Sequence, residues 1–229
     1  MQICVVYGSE RKESTYNLVK IFLKELNADS IEEYFLPKDL PYFCKGCAAC
    51  IMKGESYCPH KEYVLPIAKS LENADIIIFA TPVYVMRASG QMKVLLDHFA
   101  YQFMVHRPNE KMFKKKGLII STAAGGGMKS AIKDIKESFD FWGIGKTYKY
   151  GKAVNALAWD EVTDEKRIKI NKEIKKISKE ILKKEVVKPS FKVRALFFIM
   201  GKLQKKYKFN EIDVKYWEEK DWFSGKKPW

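Results

Sequence analysis

The sequence predicts an α/β fold: a doubly wound, five-stranded parallel sheet in the order 2-1-3-4-5, with helices on both faces and a helical, aromatic C-terminal extension. Three observations point to it. The runs Ile3 to Tyr7 and Asp75 to Ala80 are continuously apolar, as in strands covered on both faces. Helical stripes alternate with the strands, at Leu18, Ile21, Phe22 and Leu26 and at Ile170, Ile174, Ile177 and Ile181. Distinctive loops follow three of the strands at their carboxyl ends, where an open α/β sheet binds its ligand.

A chain of 229 residues, 47% apolar, can bury a sizeable core. It divides into an α/β domain over residues 1–188, with a cysteine-rich loop at 41–60, and a basic, aromatic extension over 189–229. The N-terminal apolar run is too short for a signal peptide, and no segment approaches the roughly 20 apolar residues of a membrane helix, so a cytoplasmic location is expected. The formal net charge of +14 is concentrated between Glu165 and Lys208, which hold 16 Lys/Arg against 4 Asp/Glu.

The first strand breaks at Gly8 into a hydroxyl-rich loop and a helix. Backbone N–H groups and the positive end of the helix dipole then point at one spot, a geometry that binds phosphate. Ser9, Ser14, Thr15 and Asn17 can add donors, and Arg11 and Lys12 add charge. Ser14 or Thr15 could equally cap the helix and do no more. Nucleoside triphosphate and dinucleotide fingerprints are both missing, and a single phosphate on such a loop fits FMN.

Ser30 to Leu36 reads as the second strand, Tyr63 to Asn73 as a helix, and Asp75 to Ala80 as the third strand. That strand ends in an apolar, aromatic loop, Thr81-Pro82-Val83-Tyr84-Val85-Met86, where an isoalloxazine ring could lie against Tyr84. Ser89 to His98 follows as a capped helix. His98 and His106 are isolated and are read as structural or surface groups, not bases. Gly117 to Thr122 is the fourth strand, and Ala123-Ala124-Gly125-Gly126-Gly127 after it is either a third cofactor loop or a flexible turn. A helix marked by Ile132, Ile135, Phe139 and Trp142 leads to the last strand, Lys146 to Val154. Thr163 caps the final core helix, which Pro189 stops.

Between the second strand and its helix, Cys44, Cys47, Cys50 and Cys58 form a C-x2-C-x2-C-x7-C-P pattern. Closely spaced cysteines in a tight turn can converge on one point, and Gly46 eases that turn. Three readings stand: a [4Fe–4S] cluster on four thiolates, zinc on four cysteines or on three with His60, and a reduced loop shaping a substrate mouth. Cys4 is a small core residue.

Gly8 to Leu18, Cys44 to Cys50, Ala74 to Tyr84 and Ser89 to Asp97, in that order, resemble the motifs of the flavodoxin-fold NAD(P)H-dependent FMN reductases, and of their branch related to iron–sulfur flavoproteins. The resemblance covers residues 1 to about 155. It implies noncovalent FMN, a nicotinamide co-substrate that gives hydride to flavin N5, and a homodimer or homotetramer. Carried over by position, Ser9, Arg11, Ser14, Thr15, Tyr16 and Asn17 would hold the phosphate and ribityl chain. Pro82, Val83, Tyr84 and Val85 would hold the ring. His98 stands where the family usually has arginine, and the gap from Cys50 to Cys58 is long for the motif.

The extension has three readings as well: an amphipathic helix on a membrane surface, a nucleic-acid contact through Lys205, Lys206 and Lys208 beside Tyr207 and Phe209, or an arm packed on the core or a partner subunit. The function expected is an FMN-dependent oxidoreductase that passes electrons from NAD(P)H to an acceptor. The alternatives are an electron carrier, reduced only by a protein donor, and a binding protein acting through its basic extension.

Overall fold

A computed structural model describes residues 1–229. Strand β1 (Gln2–Tyr7) leads through a loop to helix α1 (Ser14–Leu26) and strand β2 (Ser30–Phe35). A short helix, α2 (Ala49–Met52), lies in the cysteine loop ahead of α3 (Lys61–Asn73). Next come β3 (Ile76–Tyr84), β4 (Arg87–Ala88) and α4 (Gly90–His98), then β5 (Lys116–Ala123), α5 (Met128–Trp142) and β6 (Lys146–Ala153). Helices α6 (Asp164–Ile181), α7 (Phe191–Tyr207) and α8 (Glu211–Glu219) complete the chain.

Five strands pair in parallel in the order β2-β1-β3-β5-β6. The expected order 2-1-3-4-5 is corrected because a further strand, β4, precedes the fourth parallel one and pairs antiparallel with the end of β3. Thr81 to Tyr84, expected as loop, continues β3, since Thr81 and Pro82 pair with Ser121 and Thr122 of β5. The hairpin then turns at Val85 and Met86, with φ of 48° and 64°. That is the type I′ pattern, carried here by residues poorly suited to it.

Alternation along the central strands divides the interior into two layers. Cys4, Val6, Ile77, Phe79 and Ile119 pack against α3, α4 and α5. Ile3, Val5, Ile76, Ile78, Leu118 and Ile120 pack against α1 and α6. Burial pushes the Cys4 thiol up to about 12, so it is an inert core group.

Helices α4, α6, α7 and α8 begin with side-chain caps from Ser89, Thr163, Ser190 and Asn210. Helix α1 has no such cap. Ser14 and Thr15 lie inside its first turn instead of capping it.

The extension packs on the core. Val193 and Phe197 of α7, Trp217 of α8 and Trp222 enclose Met104 and Phe113 in a third apolar cluster. No helix is long and apolar enough to cross a membrane.

Candidate functional site

Gly8 sets the exit angle of the first loop. A Cβ there would stand 2.6 Å from Ser89 Oγ and 2.9 Å from Thr81 Oγ1. Ser89 Oγ donates to the Gly8 carbonyl at 2.6 Å, so the start of α4 and the end of β1 are held together. Past this point Ser9, Arg11, Glu13, Ser14 and Thr15 form one wall of a cleft of about 200 Å³ at the carboxyl ends of the strands. Pro82, Val83 and Tyr84 form the second wall. Thr122, Ala123 and Ala124 join Val154, Ala156 and Leu157 on the third.

The first wall presents unused donors. The first bond into α1 runs from Asn17 N to Glu13 O, which leaves the N–H groups of Ser14, Thr15 and Tyr16 without a protein acceptor. Ser14 Oγ is buried and has no partner. Thr15 Oγ1 and Thr122 Oγ1 are 2.6 Å apart, a pair that spends one hydroxyl proton and leaves the other for a ligand. Arg11 N donates to Ser9 Oγ at 3.1 Å, and the Arg11 guanidinium reaches the Leu157 carbonyl at 3.3 Å. Glu13 lines the cleft, but its carboxylate is engaged by Trp159 N at 2.7 Å.

The remaining residues singled out in the sequence lie beside the cleft. Tyr16 is beside Tyr7 and Phe35, with Lys12 5.7 Å from its ring centroid. Asn17 donates to the carbonyls of Lys12 and Glu13 and so braces the loop. Thr81 is fully buried, and its hydroxyl accepts from Ser89 N. Val85 is 96% exposed at the rim. Gly125 and Gly126 are exposed, and a Cβ on either would meet nothing. The position that requires glycine is Gly127, with φ of 93° and a Cβ site 2.6 Å from Val83 Cγ1. The sequence motifs do not mark Glu13, Thr122, Val154, Ala156 or Leu157 as cleft residues. Thr122 had a signal, standing at the carboxyl end of a central strand, whereas Leu157 lies in an irregular segment without one.

In the cysteine loop, Cys44 and Cys47 are exposed and Cys50 and Cys58 are half-buried. Gly46 and Ala48 take positive φ values of 63° and 55°. Burial raises the Cys50 thiol, and the neighbouring thiols of Cys58, Cys44 and Cys47 raise it further. No three His, Cys, Asp or Glu side chains stand together in a way that could hold a single metal ion. His98 does not reach the cleft. Its Nε2 lies 2.9 Å from His60 Nδ1, and its Nδ1 lies 2.8 Å from the Val94 carbonyl, so both ring nitrogens are engaged within the protein.

Residues 1–150 match the NADPH-dependent FMN reductase family. The chain belongs to that family. It is an NAD(P)H-dependent flavin oxidoreductase, and its flavin is FMN. An iron–sulfur flavoprotein of Archaeoglobus fulgidus is 28% identical over 225 residues, which are 96% of this chain and 99% of that protein. An iron–sulfur flavoprotein of Methanocaldococcus jannaschii is 29% identical over 145 residues, 61% of this chain and 71% of that one. The FMN complex of an FMN-dependent NADH-azoreductase from Bacillus anthracis superposes with a TM-score of 0.60 at 14% identity, covering 80% of this chain and 100% of that one. An NAD(P)H:quinone oxidoreductase from Methanothermobacter marburgensis has the same score at 13% identity, covering 81% and 98%. At such identity these two likenesses concern the fold.

For a flavin oxidoreductase of this family, the cleft fits the phosphate end of FMN on physical grounds. Three open helix N–H groups, a buried orphan hydroxyl and an arginine at the rim together ask for an anion.

Proposed function

We propose that the chain oxidises NAD(P)H with FMN seated in this cleft and delivers the electrons to a small-molecule or protein acceptor, as a cytoplasmic homodimer or homotetramer. The observation that carries this is the unpartnered Ser14 hydroxyl beside the three open N–H groups of α1. FMN supplies hydride acceptance at N5 and onward electron release. The chain's residues bind and orient. Ser14, Ser9 and the amides of Ser14, Thr15 and Tyr16 would hold the phosphate, with Arg11 balancing its charge. Pro82, Val83 and Tyr84 would cover one side of the ring, and Ala123 and Ala124 would approach it with backbone alone. Residues 1–188 would carry the flavin, and 189–229 would brace it.

Cys44, Cys47, Cys50 and Cys58 would hold a [4Fe–4S] cluster, which supplies one-electron transfer. Four thiols carried by one loop supply the donor type that chemistry needs, and the likeness along nearly the whole chain to an iron–sulfur flavoprotein supports it. The same observation favours a second reading, an electron carrier without nicotinamide turnover.

Anaerobic mixing with NADH or NADPH tests the choice. Rapid bleaching of the flavin band is the expected result. Reduction only by a protein donor such as ferredoxin would establish the carrier.

A further inference from the structure

Arg107 is a buried guanidinium outside the lining of the flavin cleft, and three parts of the chain meet on it. It donates to the backbone carbonyls of Cys50 and, at 3.1 Å, Ile51. It also donates to the carboxylate of Asp213 on α8, and Glu55 Oε2 lies 3.6 Å away. Asp213 is fully buried. Its other oxygen accepts from Asn210 Nδ2 at 2.6 Å and lies 2.7 Å from His106 Nδ1. The same helix secures the residues on either side of Arg107: Trp217 Nε1 donates to the His106 carbonyl, and Tyr216 OH to the Pro108 carbonyl, both at 2.7 Å.

The C-terminal extension thus delivers one carboxylate to one guanidinium, and that guanidinium grips the turn that carries Cys50. A forked, charge-assisted contact of this kind fixes position and angle together. A buried charge pair of this size contributes little net stability over an apolar filling, so a role in placing other groups is the more informative account.

We propose that Arg107 and Asp213 are positioning residues for the thiolate loop, fixing where Cys50 stands and tuning the charge its sulfur faces. This rests on the reading of the loop as a cluster site. A reduced cluster carries one more negative charge than an oxidised one, so nearby fixed charges shift its potential. Removing the Arg107 charge leaves Asp213 and Glu55 unbalanced and disfavours reduction. Removing the Asp213 charge leaves Arg107 unbalanced and favours it.

The test uses the full-length chain, purified and reconstituted anaerobically, as wild type, Arg107→Gln and Asp213→Asn. FMN and iron per chain are counted, and the iron–sulfur potential is read by redox titration followed by EPR. The expected result is FMN content kept in both variants, with the potential shifted down in Arg107→Gln and up in Asp213→Asn. Selective loss of iron with FMN retained also supports the positioning role. Potentials unchanged, or shifted in the same direction by general loosening of the loop, overturn it, as does loss of FMN together with iron. A wild-type chain that takes up no iron overturns the cluster reading itself, and this inference with it.

Discussion

Thr15 Oγ1 and Thr122 Oγ1 meet at 2.6 Å across 107 residues of sequence, tying the first turn of α1 to the carboxyl end of β5. The contact joins two walls of the cleft, the one at the start of α1 and the one at the end of β5. Thr122→Val leaves the Thr15 hydroxyl buried without its partner, which costs about 1–3 kcal/mol. Thermal unfolding of the flavin-free chain is expected to report it as a Tm lower by roughly 2–4 °C per kcal/mol. An unchanged Tm would show that the pair is idle.

Ser14→Ala separates binding from stability. The hydroxyl is buried without a partner in the chain, so its removal leaves the flavin-free protein at least as stable as before. A hydrogen bond to a charged phosphate is worth about 1.5–3 kcal/mol, so FMN is expected to bind roughly 10- to 100-fold more weakly. Fluorescence titration of FMN measures the loss. Equal affinity would place the phosphate elsewhere.

The turn at Val85 and Met86 stores backbone strain, because a β-branched residue at φ of 48° is disfavoured and nothing in the chain packs over the 96% exposed Val85. Val85→Asn suits the type I′ position and is expected to stabilise the chain by about 1 kcal/mol. A lower Tm in that variant would show that the valine has a partner.

Glu173 gives a pH dependence of known sign. Burial pushes its carboxyl up, but hydrogen bonds from Lys152 and Tyr150 outweigh this and hold it below the ordinary glutamate value. Its stabilising contribution is therefore complete above the unfolded value of about 4.3 and is lost as the pH falls through the lower folded value. Chemical denaturation between about pH 6 and 3 is expected to show a shallower decline in Glu173→Gln than in wild type. Parallel declines would remove Glu173 from the acid sensitivity.

The sheet was legible because its signals are local. Continuous apolar runs marked β1 and β3, and isoleucines at helical spacing marked α6, where Ile170, Ile174 and Ile181 are buried. The hydroxyl-rich loop was legible for the same reason, and Ser9, Arg11, Ser14 and Thr15 come together in the cleft. Tyr16 and Asn17 sit in the same motif but turn aside, since a helix sends successive side chains in different directions. Hairpin β3–β4 was hidden because Val-Met carries no I′ signal. The grip of Asp213 on Arg107 links positions 106 residues apart, and no local pattern announces such a pair. The extension showed its aromatics but not the partners, Met104 and Phe113, that it packs against.

A flavin in this cleft and a cluster on the four cysteines, as proposed, are read together in one measurement. It is the visible spectrum of anaerobically purified protein, with flavin, iron and zinc counted on the same sample. Flavin bands over a broad iron–sulfur background, with about four irons per chain, are the expected result. A colourless protein that also refuses added FMN would contradict it.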